Sequence, residues 1–224
     1  MAAGSRFATN ERLQEMLKKE IKVGKSSAVI KVILSNPNLQ EIDEETWRNL
    51  SKNENDVIRV LAARSRVATN ERLQKMLKHE PEVEQSLFII TFIIKTILSN
   101  PNLQEIDEET WRNLVKTESS LIRLFAARSR VATNERLQEM LKQQIKVSQS
   151  LPIIEAILSN SNLKEIDEEA WKSLSECIDW KIRELAAGSR FATRKRLVKM
   201  VEHEMKNPDS EVMEAIMSNK NFQS

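Results

Sequence analysis

Three glycines, one cysteine, two histidines and no tyrosine stand among 224 residues. Each scarcity excludes something. Rossmann and P-loop folds need several glycines at phosphate turns, and β-sandwiches and barrels need them at tight hairpins. One cysteine cannot close an internal disulfide, so a cytoplasmic location is expected. No apolar run reaches the roughly 18 residues of a membrane span, and no N-terminal apolar h-region precedes a small-residue cleavage site. A formal net charge of +2 gives no strong bias toward nucleic acid. What is plentiful is Leu, Ile, Met, Ala, Glu, Lys and Arg, a composition that favours helix.

The chain repeats itself. AAGSRFATNERLQEML begins at Ala2 and returns in close variants at Ala62, Ala126 and Ala186, at offsets of 60, 64 and 60 residues. Between these copies lies SNPNLQEIDEETWRNL at Ser35, identical at Ser99, with a variant at Ser159 and a degenerate SNKNF at Ser218. Each half of about 30 residues reads as two short helices. Thr69 or Asn70 can cap a helix carrying Leu73, Met76 and Leu77, spaced i, i+3, i+4. Residues 84–98 form a nearly all-apolar helix ending at Ser99-Asn100-Pro101. Asp107 can cap a helix through Trp111 and Leu114, with Glu108 and Glu109 favoured in its first turn by the helix dipole. One helix of each pair is amphipathic and the other apolar, as stacked pairs covered by their neighbours require. The expectation is an all-α chain of about fourteen helices, an α-solenoid in a single domain over 1–224. Its double repeats would span about 2–61, 62–125 and 126–185, with a partial copy at 186–224.

The pattern Ile-Arg-x-x-Ala-Ala-Arg-Ser-x-Val-Ala-Thr from Ile58, followed by Leu73 and Leu77, recurs from Ile122 to Leu141. It resembles the leucine-rich repeat variant family, and its Ile-Arg-x-x-Ala-Ala helix is similar to HEAT-type repeats. That resemblance covers nearly the whole chain and implies a right-handed helical solenoid. Some members of the variant family carry a cysteine-ligated iron–sulfur module. Cys177 alone cannot supply one, so no cofactor is carried over.

Catalytic chemistry finds little footing. His79 and His203 lie in charged segments near helix ends, without the spaced second histidine of a zinc-binding helix. Cys177 lacks a neighbouring activator and reads as a packed thiol. The acidic runs 41–45, 105–109 and 165–169 recur at helix starts, where capping and solubility explain them better than a metal does. No enzyme, metal or cofactor is expected.

Charge is patterned although it nearly cancels. Lys and Arg less Asp and Glu comes to +2, +4, +2 and +4 over 2–19, 62–79, 126–143 and 186–203. Over 39–56, 103–120 and 163–180 it comes to −4, −3 and −4. Alternating blocks predict ion pairs between layers, each worth about 0–1 kcal/mol at a surface. One basic series escapes the cancellation. The position after the apolar pair of the inner helices holds Lys31, Arg59, Lys95, Arg123, Glu155, Arg183 and Glu214. If these helices line a concave face, Lys31, Arg59, Lys95, Arg123 and Arg183 are candidates for gripping an acidic protein. A nucleic-acid backbone is the less favoured alternative. The loop arginines Arg64, Arg66, Arg128, Arg130 and Arg190 would extend that edge. The competing reading is an internal ladder with acids such as Asp56 or Glu118. Trp47, Trp111 and Trp171 recur at equivalent places and read as packing, whereas Trp180 has no counterpart.

One repeat departs from the others. Four extra residues, about Leu87-Phe88-Ile89-Ile90, lengthen one inner helix by a turn. With Phe92 they form the most apolar stretch of the chain, a candidate contact for a partner unless the Glu80–Gln85 loop folds over it. Neither end shows a polar capping repeat, which leaves end-to-end self-association, or a place in a longer array, as expectations. The function expected is that of a non-catalytic scaffold binding another protein, with no membrane contact.

Overall fold

A computed structural model describes residues 4–24, 26–80, 86–206 and 208–223, and every regular element among them is helical. The chain divides into two compact units, 1–122 and 123–224. Unit 1 holds α1 (Asn10–Val23), α2 (Ser27–Leu34), α3 (Glu44–Ser51), α4 (Asp56–Arg64), α5 (Asn70–His79), α6 (Leu87–Leu98) and α7 (Glu108–Lys116). The division falls inside α8 (Ser120–Arg128). Unit 2 continues with α9 (Asn134–Gln143), a π turn at Gln144–Ser148, α10 (Leu151–Ser159), α11 (Glu168–Ser175) and α12 (Trp180–Gly188). It ends with α13 (Arg194–Glu204), α14 (Ser210–Ser218) and α15 (Lys220–Gln223). The fifteenth helix, one more than the periodicity predicts, is the short turn made by the degenerate SNKNF copy. The helix expected over 84–98 starts at Leu87. Residues 84 and 85, the Pro81 loop and the first Ala-Ala pair lie outside the described residues.

Helix starts follow the sequence closely. Thr9, Thr69, Thr133 and Thr193 accept from the backbone N–H of Arg12, Arg72, Arg136 and Arg196, so the threonine is the cap, and not the asparagine that follows it in the first three copies. Asp43, Asp107 and Asp167 cap α3, α7 and α11 through Thr46, Thr110 and Ala170. Gly24 closes α1 at φ 65°, a left-handed position where a side chain would be strained. The amphipathic stripes turn inward: Leu13, Leu17, Leu73, Leu77, Leu137 and Leu141 are buried, as are Trp47, Trp111 and Trp171. At about 1.5–3 kcal/mol for each fully buried Leu or Ile, these stripes supply the main driving force. In unit 1 the apolar helix α4 packs between α2 and α6, and in unit 2 α12 packs against α10 and α14.

What fixes one layer on the next is a hydrogen-bonded latch built from the Ser-Asn-x-Asn turns. Asn36 Nδ2 donates to the Ser5 carbonyl at 3.2 Å, and Asn38 Nδ2 donates to the Arg6 and Ala8 carbonyls, both at 2.9 Å. Meanwhile Asn36 Oδ1 accepts from the Asn38 N–H at 2.9 Å. Asn100 and Asn102 repeat this on the carbonyls of Ala63, Ser65, Arg66 and Ala68. In unit 2, Asn160 and Asn162 do so on Ala127, Ser129, Arg130 and Ala132, and Asn219 and Asn221 on Ala187, Ser189 and Ala192. The traffic also runs the other way. Asn10, Asn70 and Asn134 accept from the N–H of Gln40, Gln104 and Lys164. Arg66 donates to the carbonyls of Asn36, Pro37 and Leu39, and Arg190 to those of Asn160 and Leu163.

The expected ion pairs between basic and acidic helices are present. Lys18, Lys78 and Lys142 reach the capping carboxylates of Asp43, Asp107 and Asp167 at 2.9, 3.2 and 2.6 Å. The Thr46 N–H first, then Lys18, holds the Asp43 carboxyl well below the usual range. For Asp107 partial burial works the other way, yet Thr110 and Lys78 outweigh it and the net shift is downward. The Ala170 N–H and Lys142 lower Asp167.

Replacing Asn100 by Ala removes a buried donor from two carbonyls, and a urea melt should show a loss of about 1–3 kcal/mol. The depressed carboxyls set a second expectation. Their contribution is complete above the ordinary aspartate value of 3.8 and is lost as the pH falls through each lowered value. Unfolding free energy measured against pH should therefore drop on the acid side of about pH 4, and Asp→Asn at 43, 107 and 167 should flatten that limb.

Candidate functional site

The basic series of the inner helices divides into two classes. Arg59, on α4, is 2 % exposed, and its Nε donates to Glu80 Oε1 at 3.1 Å. Its Nη1 donates to the carbonyls of Asn53 and Glu54 at 2.6 and 3.3 Å. Arg183, on α12, is 8 % exposed and repeats the arrangement. Its Nε and Nη2 reach the two oxygens of Glu204 at 2.7 and 3.3 Å, and Nη1 reaches the carbonyls of Cys177 and Ile178. Each guanidinium thus ties a loop, its own helix and the end of the following helix. Neither offers its charge to a partner, and the expectation that Arg59 and Arg183 line a binding groove is corrected. Burial places them in the ladder class, with acids 21 residues further on. That spacing was the available signal: Glu80 and Glu204 stand 21 positions after their arginines, and Gln144 stands 21 after the half-buried Arg123. Full burial outweighs Arg59 and pushes the Glu80 carboxyl up.

Lys31 on α2 and Lys95 on α6 belong to the other class and are exposed. They stand four residues before the Ser of their Ser-Asn-x-Asn turns, in the same register as exposed Glu155 on α10 and Glu214 on α14. Of the loop arginines, Arg66 and Arg190 are committed to carbonyls of the preceding turn. Arg64 lies on the exposed side of α4, with its guanidinium 5.6 Å from the Phe92 ring centroid.

The extra turn of α6 is real: this helix has 12 residues, against 8 in α2 and 9 in α10 and α14. Phe88 is 77 % exposed and Phe92 40 %, one turn apart on one side of the helix; Leu87 is exposed too. Ile89 is half-buried, and Ile90 is 8 % exposed and belongs to the core, which corrects its place in the apolar contact. Val32 on α2 and Val57 on α4 add exposed aliphatic groups. The helices α2, α4 and α6 therefore each carry exposed apolar side chains, and the same helices bear the exposed Lys31, Arg64 and Lys95.

Other candidates resolve into structure. Among the described residues no group of three or more His, Cys, Asp or Glu is placed to hold a metal ion, and no helix is long and apolar enough to cross a membrane. Cys177 is buried. His79 ends α5, and His203 lies in the last turn of α13. Arg72 and Arg196 stack over Trp47 and Trp171 at 5.2 and 4.8 Å while pairing with Glu44 and Glu168. Trp47 and Trp171 are thereby occupied. No family model, curated protein or solved structure matches the chain.

Arg183→Ala leaves Glu204 buried without its guanidinium and should cost about 3–5 kcal/mol in a denaturant melt, whereas exchanging both partners for Met and Leu should cost far less. A loss under about 1 kcal/mol for Arg183→Ala would return this residue to the surface class.

Proposed function

We propose that this chain is a non-catalytic helical-repeat scaffold, an α-solenoid of leucine-rich-repeat-variant or HEAT-like type, that binds another protein on the α2–α4–α6 face. The observation that carries the reading is the exposed pair Phe88 and Phe92 on α6, a helix that also bears exposed Lys95, with the Arg64 guanidinium 5.6 Å from the Phe92 ring. Among the described aromatics Phe7 is also exposed, whereas Trp47 and Trp171 are buried beneath arginines. Exposed aromatics accompanied by these cations suit a partner segment with apolar anchors between Asp or Glu residues. The aromatics supply buried area, and the cations supply steering and register. The repeat assignment is supported by the asparagine latch, which spans about 30 residues and recurs about every 60 inside each unit. A nucleic-acid groove along the same series is disfavoured. Arg59 and Arg183 are spent internally, and Glu155 and Glu214 stand where Lys31 and Lys95 do, so the series itself does not offer uniform positive charge to phosphates.

Selection from a displayed random-peptide library tests this directly. Enriched peptides should carry Phe, Leu or Trp flanked by Asp or Glu, and Phe88→Ser or Lys95→Glu should weaken them about tenfold or more. Binding that survives both changes would overturn the reading.

A further inference from the structure

The outer helices α1 and α3 of unit 1 pack side by side and leave between them an open cleft of 740 Å³. α1 has 14 residues against 10 in α5, and the residues this adds include Ile21 and Lys22, which line the cleft. Its charged lining is Lys18 and Lys22 from α1, Glu45 and Arg48 from α3, Lys52 at the α3 C-cap, and Glu54 from the loop that follows. Lys18 is committed to Asp43 at 2.9 Å, and Glu45 adds to the field on it. Lys22, Arg48 and Lys52 form no ion pair among the described residues, and neither do Glu45 and Glu54.

The i, i+4 partners on both walls are of like sign, Lys18 with Lys22 and Arg48 with Lys52. Like charges at that spacing repel, although the helix dipole favours each cation singly at a C-terminal end. In the register of Arg48 and Lys52, α11 carries Lys172 and its C-cap Glu176, the attractive combination. α7 keeps Arg112 and Lys116, but only Lys116 reaches its 420 Å³ cleft, beside Glu109 and the Asp107-paired Lys78. A helix end of this kind therefore does not require two cations, yet the α1–α3 cleft has them on both walls.

The lining selects the charge of an occupant. Two carboxylates offset most of what a singly charged anion would gain. A phosphate carries more charge, and Arg48 offers it a fork of donors, with Lys22 and Lys52 as point charges. The carboxylates of Glu45 and Glu54 are acceptors, and with the Asn49 amide they suit hydroxyl groups. The volume is that of a small-molecule site. We propose that the α1–α3 cleft binds a phosphorylated polyol, its phosphates on Lys22, Arg48 and Lys52 and its hydroxyls on Glu45, Glu54 and Asn49. The site lies on other helices than the α2–α4–α6 face and stands independently of it.

Isothermal titration calorimetry of the full chain with inositol trisphosphate tests the proposal. A single molecule should bind, and Lys22→Glu, or Arg48→Glu with Lys52→Glu, should weaken it about tenfold or more. Lys172→Glu in unit 2 and Phe88→Ser on α6 should leave binding unchanged. All these positions are exposed, and far-UV circular dichroism checks that each variant is folded. Inorganic phosphate and unphosphorylated inositol should each bind far more weakly, since each lacks one half of the ligand. Vesicles with and without a phosphoinositide assign the source, and both results support the chemistry: retention on the former alone marks a lipid headgroup, and no retention marks a free ligand. Absence of inositol trisphosphate binding, indifference to the α1–α3 reversals, or an equal loss with Lys172→Glu overturns the proposal. Inorganic phosphate binding as tightly, or a DNA duplex taken at these residues in place of the polyol, overturns it too.

Discussion

The asparagine pair of the Ser-Asn-x-Asn turn is the contact on which the repeat depends. Its first amide works at both ends. Oδ1 accepts the N–H two residues on and so shapes the turn, while Nδ2 donates to carbonyls about 30 residues back. An aspartate would offer no donor to those carbonyls, and a serine would lack the reach. The carbonyls lie at the ends of apolar helices, where the last C=O groups have no partner inside the helix. Leaving them buried and unmatched would cost more than the hydrogen bonds gain. This explains why Asn219 and Asn221 persist in the last copy although most of its unit has diverged.

Around this latch the charged side chains fall into distinct roles. Asp43, Asp107 and Asp167 cap a helix and hold a lysine of the helix before, so one carboxylate serves local and tertiary structure at once. Arg72 and Arg196 cover a tryptophan face, pair with a glutamate and donate to the carbonyls of Ile42 and Ile166. The alternation of basic and acidic blocks is the footprint of these pairs. Exposed single pairs are weak, but a pattern that repeats in every layer penalises a slip in register.

Many charged side chains face solvent along the whole chain, with Phe7, Phe88 and Phe92 exposed as well, and some of these groups sit on the inner helices. There the copies differ. The lengthened α6 adds Phe88 and Phe92 beside cations, and the matching positions of unit 2 turn acidic. Identity among repeats marks where the copies must fit one another, and divergence marks where that constraint is lifted.

Much of the fold was legible in the residues. The 60-residue period, the threonine and aspartate caps, the inward stripes and the extra turn at Leu87 are local properties, fixed by helix geometry and by which backbone groups lack partners. The fate of the charged side chains was not legible. Lys31 and Arg59 occupy the same place in an apolar helix pattern, yet one is exposed and the other is buried against Glu80. Periodicity says which way a residue points on its own helix. Only the neighbouring helix decides whether water or a carboxylate waits there. The sequence by itself determined the helices and their repeat. The tertiary structure decided which cations are structural and which face outward, because burial and pairing depend on residues about 20 to 30 positions away.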